Sequence, residues 1–254
     1  MHIDLLLFPW TIKAGVFSDI KSEQKAYARF DRVIAVSDDV SENFYNRYGI
    51  RPITVYNPID SDDILKKSQD VTYTPKSDGA VRFVTVGRLT KQKGYGRLIE
   101  VVDRLIHEGI ECDLTIVGIG ELEPFLEDEI MKRGLCDYVH LTGYLRNPYP
   151  LMKSSDAFVC SSVQEGFSLV VAESMILGLP IVSTKCSGPR ELLDNGKFGL
   201  LVDNSANGLY EGMKALAVDA ELRERMANKS RERAALFSLE DVVGKVEQIL
   251  LCKE

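Results

Sequence analysis

The sequence predicts an α/β fold in which a parallel sheet is covered by helices on both faces. Three observations carry this. Short β-rich runs alternate with longer helical patterns through the last two-thirds of the chain. The runs are nearly unbroken in apolar and β-branched residues, as strands buried on both faces require. Several end in Gly or Ser, which suits a doubly wound sheet whose ligands sit beyond the carboxyl ends of its strands.

The strand runs are VRFVTVG (81–87), CDLTIVG (112–118), YVHLTG (138–143), AFVCSS (157–162), PIVST (180–184) and GLLVD (199–203). Helices are expected between and after them at 96–108, 121–133, 148–154, 168–177, 188–194 and 207–217. Helices at 219–235 and 239–252 close the chain. Upstream, a polar helix precedes RVIAVS (32–37), a helix over 38–48 and ITVYNP (53–58). This block has too few strands to be expected to form a sheet of its own. The polar stretch 61–79 reads as a linker. The expected organisation is therefore 1–60, a linker at 61–79, a ligand-binding domain at 80–235, and a final helix at 236–254 crossing back toward the N-terminal part.

Composition narrows the function classes. The 254 residues carry a formal net charge of -7, against the basic footprint of non-specific nucleic-acid binding. Five widely spaced cysteines without a C-x-x-C pair, and three unclustered histidines, argue against a disulfide framework or a structural metal. No apolar run is long enough to span a bilayer, and MHIDLLLFPWTIK lacks the features of a signal peptide. A reduced, cytoplasmic protein is expected.

Three clusters carry chemistry. VGRLTKQKGYGR places Arg88, Lys91, Lys93 and Arg97 after a strand, between glycines at 87 and 94. Arginine forks and lysine point charges there suit a diphosphate; a solvated basic loop is the other reading. VGIGE (117–121) lacks the third glycine of a dinucleotide fingerprint, and either turns a βα corner tightly or lines a cleft. In QEGFSLVVAE, Glu165 and Glu173 are separated by seven residues around a helix start. A helix entered through Gly-Phe-Ser points free N–H groups at an anion. Glu173 lies about 6–9 Å along the axis from Ser168, at ~1.5 Å per residue. Two acceptors around an anion-binding helix start match the hydroxyl–diphosphate–ribose layout of a nucleotide sugar. The alternative makes Glu165 a cap and Glu173 a surface acid.

EGFSLVVAESMILGLPIVST, followed by CSGPRELLDNGKFGLLV, resembles the signature region of retaining family-4 glycosyltransferases of the GT-B fold. GRLTKQKG matches that family's Arg-x4-Lys phosphate motif, and DRVIAVSDDV and VYNPID resemble the end of its N-terminal domain and its hinge. CSGP departs from the more common Gly-Gly, keeping Gly188 but placing Pro189 beside it. The resemblance covers nearly the whole chain and does not identify the sugar.

The resemblance implies roles. Arg88 and Lys93 would neutralise the donor diphosphate, beside Gly87. Glu165 would contact the transferred sugar, with backbone contacts from Gly166 and Phe167. Ser168 and Leu169 would offer N–H groups to the phosphates, and Glu173 would take the ribose hydroxyls. Tyr144 and Leu145, in GYLRN, match the region that holds the base. His2 falls where such proteins carry a cleft-facing histidine, or is a terminal residue without a role. His107 and His140 read as structural.

The expected activity is transfer of a hexose or N-acetylhexosamine from a nucleotide-diphosphate sugar, UDP by preference. The acceptor would be a glycan or lipid-linked saccharide of capsule or polysaccharide synthesis. Transfer would proceed with retention and with no metal or cofactor. Most of the acceptor domain is expected to be missing, so a homodimer or a separate N-terminal half enters as a partner, with at most peripheral membrane contact. A nucleotide-sugar-binding module without catalysis is the rival. A nucleotide-sugar 2-epimerase would need further cleft acids and histidines that the sequence does not display.

Overall fold

The computed structural model describes residues 3–6, 20–70 and 79–251, with residues 3–6 and 236 described through their backbone. The chain divides into two compact units, one made of residues 1–59 with 236–254 and the other of residues 60–235.

The first unit holds a three-stranded parallel sheet in the order β1 (Ile3–Leu6), β2 (Arg32–Ala35), β3 (Ile53–Thr54). The expectation that this block has too few strands for its own sheet is thus corrected. Alternation along β2 divides the unit into two small cores. Val33 packs with Phe44 and Tyr48 of α2 (Asp38–Tyr48) and with Tyr27 of α1 (Ile20–Tyr27). Ile34 packs with Val55 and with Val242, Val246 and Ile249 of the last helix, Leu239–Leu251. α2 starts at Ser37, whose hydroxyl accepts from the Val40 amide, and stops at Gly49 in the left-handed region.

The second unit carries a six-stranded, all-parallel sheet. In chain order its strands are β4 (Val81–Val86), β5 (Cys112–Val117), β6 (Val139–Leu141), β7 (Ala157–Cys160), β8 (Ile181–Thr184) and β9 (Leu200–Val202). The spatial order is β6-β5-β4-β7-β8-β9. Every residue of β7 and β8 is buried, as their unbroken apolar character requires. The core on one face joins Phe83, Leu114, Ile116 and Val182 to apolar residues of α4 (Tyr95–His107), α5 (Glu123–Lys132) and α9 (Ala206–Val218). Helices α7 (Leu169–Ile176) and α10 (Ala220–Ala234) pack on each other and on β8. Short helices α6 (Tyr149–Lys153) and α8 (Ser187–Leu192) complete the alternation. The predicted α/β fold with a helix-covered parallel sheet is the one observed.

The stretch 61–79 does not begin as a linker. Ser61–Lys67 forms a helix, α3, capped by the Asp60 carboxylate, which accepts from the Asp63 amide. Ile64 is buried, and α3 adjoins α6 and α7. One buried residue, an N-cap and an i,i+4 Asp63–Lys67 pair hold two turns of helix whose other faces are polar enough to read as a loop. Residues 71–78 of the expected linker lie outside the described residues.

Candidate active site

Sheet order reverses between β4 and β7, and in such sheets ligands bind beyond the carboxyl ends of the strands at that point. The loops leaving these two strands carry the basic cluster and the QEGFS segment.

The β4 loop is clamped through its backbone. Leu89 is buried, its amide donates to the Ile119 carbonyl at 3.0 Å, and its carbonyl accepts from Leu122 at 3.0 Å. The Gly-x-Gly of 118–120 exists for this clamp. A Cβ on Gly118 would stand 2.0 Å from the Gly87 oxygen, and one on Gly120 2.5 Å from the Leu89 oxygen. The glycines of VGIGE thus admit the backbone of the neighbouring β4 loop. Arg88 is exposed between these anchors, with no side-chain partner among the described residues.

Lys91–Lys93 make one 3-10 turn, which ends at Gly94 in the left-handed region. Lys93 points to the second loop, its Nζ 2.5 Å from Glu165 Oε2. The Lys93 and Glu165 side chains are 21% and 12% exposed, so the pair is neither solvated nor dry. Ser162 Oγ donates to the same carboxylate oxygen at 3.1 Å. Further bonds knit the two loops together. Ser161 Oγ donates to the Lys93 carbonyl (2.7 Å), the Val163 amide to the Gln92 carbonyl (2.7 Å), and Gln92 Nε2 to the Gln164 carbonyl (2.8 Å).

Arg97, part of the basic cluster, is spent on structure. Its guanidinium donates to the Ser161 carbonyl at 2.5 Å and to Asn204 Oδ1 at 2.8 Å, and Asn204 in turn holds the Val163 carbonyl. Lys91 is exposed.

The second loop enters α7 as the sequence predicts. Phe167 is buried, and Ser168 leads the helix with a buried hydroxyl that has no partner among the described residues. The Leu169 and Val170 amides precede the first bond of the helix, which Val171 donates to the Ser168 carbonyl. Glu165 does not cap α7: its carboxylate faces Lys93 and Ser162, and its backbone carbonyl accepts from Gly188 at 3.0 Å. Gly166 itself has room for a side chain. The steric demand falls on Gly188, where a Cβ would stand 1.9 Å from the Gly166 oxygen. Retention of Gly188 in CSGP thus has a direct cause.

Glu173 is not a surface acid. Burial raises its pKa, and the influence of the Tyr149 hydroxyl of α6 works in the opposite direction. Tyr149 is itself pushed up to about 12, first by burial, then by the charges of Glu173 and Asp63. Tyr144 and Leu145 lie in the loop after β6, Tyr144 exposed and Leu145 half-buried. His2 lies outside the described residues. His140 is within β6, and the exposed His107 bonds back to the Asp103 carbonyl at 2.8 Å. Among the described residues, no group of three His, Cys, Asp or Glu side chains is arranged to hold a metal ion, and no helix is long and apolar enough to cross a membrane.

The model of the glycosyl transferases group 1 family matches residues 68–233, which include both the β4 loop and the loop entering α7. The chain belongs to that family. Among curated relatives of this group 1 glycosyltransferase chain is the Campylobacter jejuni N-acetylgalactosamine-N,N'-diacetylbacillosaminyl-diphospho-undecaprenol 4-alpha-N-acetylgalactosaminyltransferase. It is 33% identical over 217 residues, 83% of this chain and 57% of its own length. The Rhizobium meliloti lipopolysaccharide core biosynthesis glycosyltransferase LpsE is 32% identical over 172 residues, 67% of this chain and 49% of its own length. The chain spans about half the length of the curated relatives it matches. Its fold matches Anabaena Alr3699/HepE in complex with UDP, with a TM-score of 0.79 at 21% identity over 98% of this chain and 71% of that one. It also matches WaaG, a glycosyltransferase involved in lipopolysaccharide biosynthesis, with a TM-score of 0.68 at 20% identity over 87% and 63%.

Ser162, Tyr149 and Asn204 were not singled out from the sequence. Each is a common polar residue outside the Arg-x4-Lys and Glu-x7-Glu spacings. Only their folded neighbours give them meaning.

Proposed function

We propose that this chain binds a nucleoside-diphosphate sugar, UDP-linked by preference. Its activity would be that of a retaining hexosyl- or N-acetylhexosaminyltransferase acting on a glycan or lipid-linked acceptor. The observation that carries this is the convergence, at the switch between β4 and β7, of three features. These are an exposed Arg88 without a side-chain partner among the described residues, the Lys93–Glu165 pair, and the opening amides of α7.

Breaking the anomeric C–O bond builds positive charge on the sugar and negative charge on the departing diphosphate. Arg88, Lys93 and the α7 amides meet that negative charge with groups already in place, so little reorganisation accompanies the reaction. In this mechanism these cations take the part that a divalent ion plays elsewhere. Glu165 presents Oε1 to sugar hydroxyls, since its two side-chain hydrogen bonds among the described residues both fall on Oε2. The ribose diol would donate to Glu173, offsetting the burial that disfavours its charge. Retention follows if the leaving diphosphate takes the acceptor proton on the face it vacates. The relatives named for α-linked transfer and lipopolysaccharide synthesis support a glycan or lipid-carried acceptor, reached by peripheral membrane contact.

All the charged groups in this account lie within residues 60–235, so a nucleotide-sugar-binding module without turnover would present the same site. Calorimetry with UDP and GDP tests the donor site, and absence of binding at millimolar ligand would remove it. Sugar transfer to a saccharide acceptor separates the transferase from the module.

A further inference from the structure

Glu165 is held by two donors of different kinds. Lys93 reaches Oε2 from the β4 loop, and under the proposed function it must also serve the diphosphate. Ser162 reaches the same oxygen from the end of β7 and has no phosphate to serve. Ser162 is 1% exposed and is gripped independently through its backbone. Its carbonyl accepts from Thr184 Oγ1 at 2.6 Å and from Cys186 Sγ at 2.9 Å, both from the segment around the end of β8. The Cys160 thiol approaches its hydroxyl at 3.7 Å. The seat of Ser162 therefore does not depend on the bond its hydroxyl makes to Glu165.

We propose that Ser162 is a positioning residue for donor-sugar recognition. Its buried hydroxyl holds the Glu165 carboxylate in place, with Oε1 directed to the sugar, when Lys93 turns its charge to the diphosphate. This rests on the donor-site reading above and adds a division of labour to it. Arg88, Lys93 and the α7 amides bind the nucleotide, while the Ser162–Glu165 pair reads the sugar. A hydrogen bond to a charged group carries enough energy for its loss to be seen as about a tenfold change in affinity.

The test titrates the full chain with UDP and with UDP-glucose, UDP-N-acetylglucosamine and UDP-N-acetylgalactosamine. Ser162→Ala is expected to keep UDP affinity within about twofold, because the backbone clamp remains. The ratio of sugar-nucleotide to UDP affinity is expected to fall about tenfold for the preferred sugar. Ser162→Thr, which keeps the hydroxyl, should restore most of that ratio. In a Glu165→Gln background, Ser162→Ala should change the ratio no further. An unchanged ratio in Ser162→Ala overturns the inference. So does equal loss of UDP and sugar nucleotide, the mark of a merely structural serine. If Glu165→Gln leaves the ratio unchanged, there is no sugar contact for Ser162 to support. A wild-type chain that binds no UDP at all defeats the donor-site reading itself, an outcome distinct from the others.

Discussion

Replacing Lys93 by alanine removes the ion pair to Glu165 and, under the proposed function, a phosphate contact, which separate measurements can resolve. In the folded chain Nζ stands 2.5 Å from Glu165 Oε2, with the side chains 21% and 12% exposed. An exposed ion pair contributes about 0–1 kcal/mol, whereas stripping one partner from a buried pair costs ~3–5 kcal/mol. The intermediate exposure here, and the Ser162 bond left to Glu165, place the cost at about 1–3 kcal/mol. The melting temperature should fall by roughly 3–10 °C. Loss of the cation at the diphosphate should also weaken UDP or GDP binding more than tenfold, above about 1.4 kcal/mol. Glu165→Gln supplies the contrast. Removing the negative charge beside Nζ should leave UDP affinity equal or higher while lowering affinity for the sugar nucleotide. Calorimetry on the three proteins reads all of this. If Lys93→Ala binds UDP as the wild type does, Lys93 serves only the Glu165 pair, and the phosphate role is wrong.

Arg88→Ala should weaken nucleotide binding with a stability change within about 0.5 kcal/mol, because the exposed guanidinium has no protein partner among the described residues to lose; chemical denaturation beside calorimetry checks both halves. Glu173→Gln should act oppositely on stability and binding. Burial raises the Glu173 pKa, so the folded chain holds this proton more tightly than the unfolded one. That stabilisation is complete in acid and is lost as pH rises from the ordinary carboxylate range through the raised native value. The variant should melt above the wild type at neutral pH, match it in acid, and bind UDP more weakly; a variant that melts lower at neutral pH would contradict the buried-acid account. Gly188→Ala drives a Cβ to 1.9 Å from the Gly166 oxygen, so a loss of about 1–3 kcal/mol or more should accompany a displaced 165–168 loop and weaker donor binding in the same calorimetric and melting assays.

Much of this protein was legible in the sequence because its signals are local. Unbroken apolar runs mark strands such as AFVC and IVST whatever the chain does elsewhere, and each alternates with a helix-length segment. The charged spacings Arg88–Lys93 and Glu165–Glu173 fall at the strand exits that the alternation defines. What stayed hidden depends on non-local pairing. The helix at Ser61–Lys67 buries little beyond Ile64, so its polar faces outweigh its pattern. Sheet order cannot be read along the chain, yet it is the β4–β7 adjacency that brings Lys93 within 2.5 Å of Glu165 across 72 positions. Likewise, Arg97 looked like one more phosphate cation until the fold placed the Ser161 carbonyl and Asn204 around its guanidinium. By itself the sequence determined the layered α/β fold and the chemistry the chain carries. Only the tertiary structure decided which charges stay exposed and which are tied to protein partners, because burial and partners are properties of the folded neighbourhood.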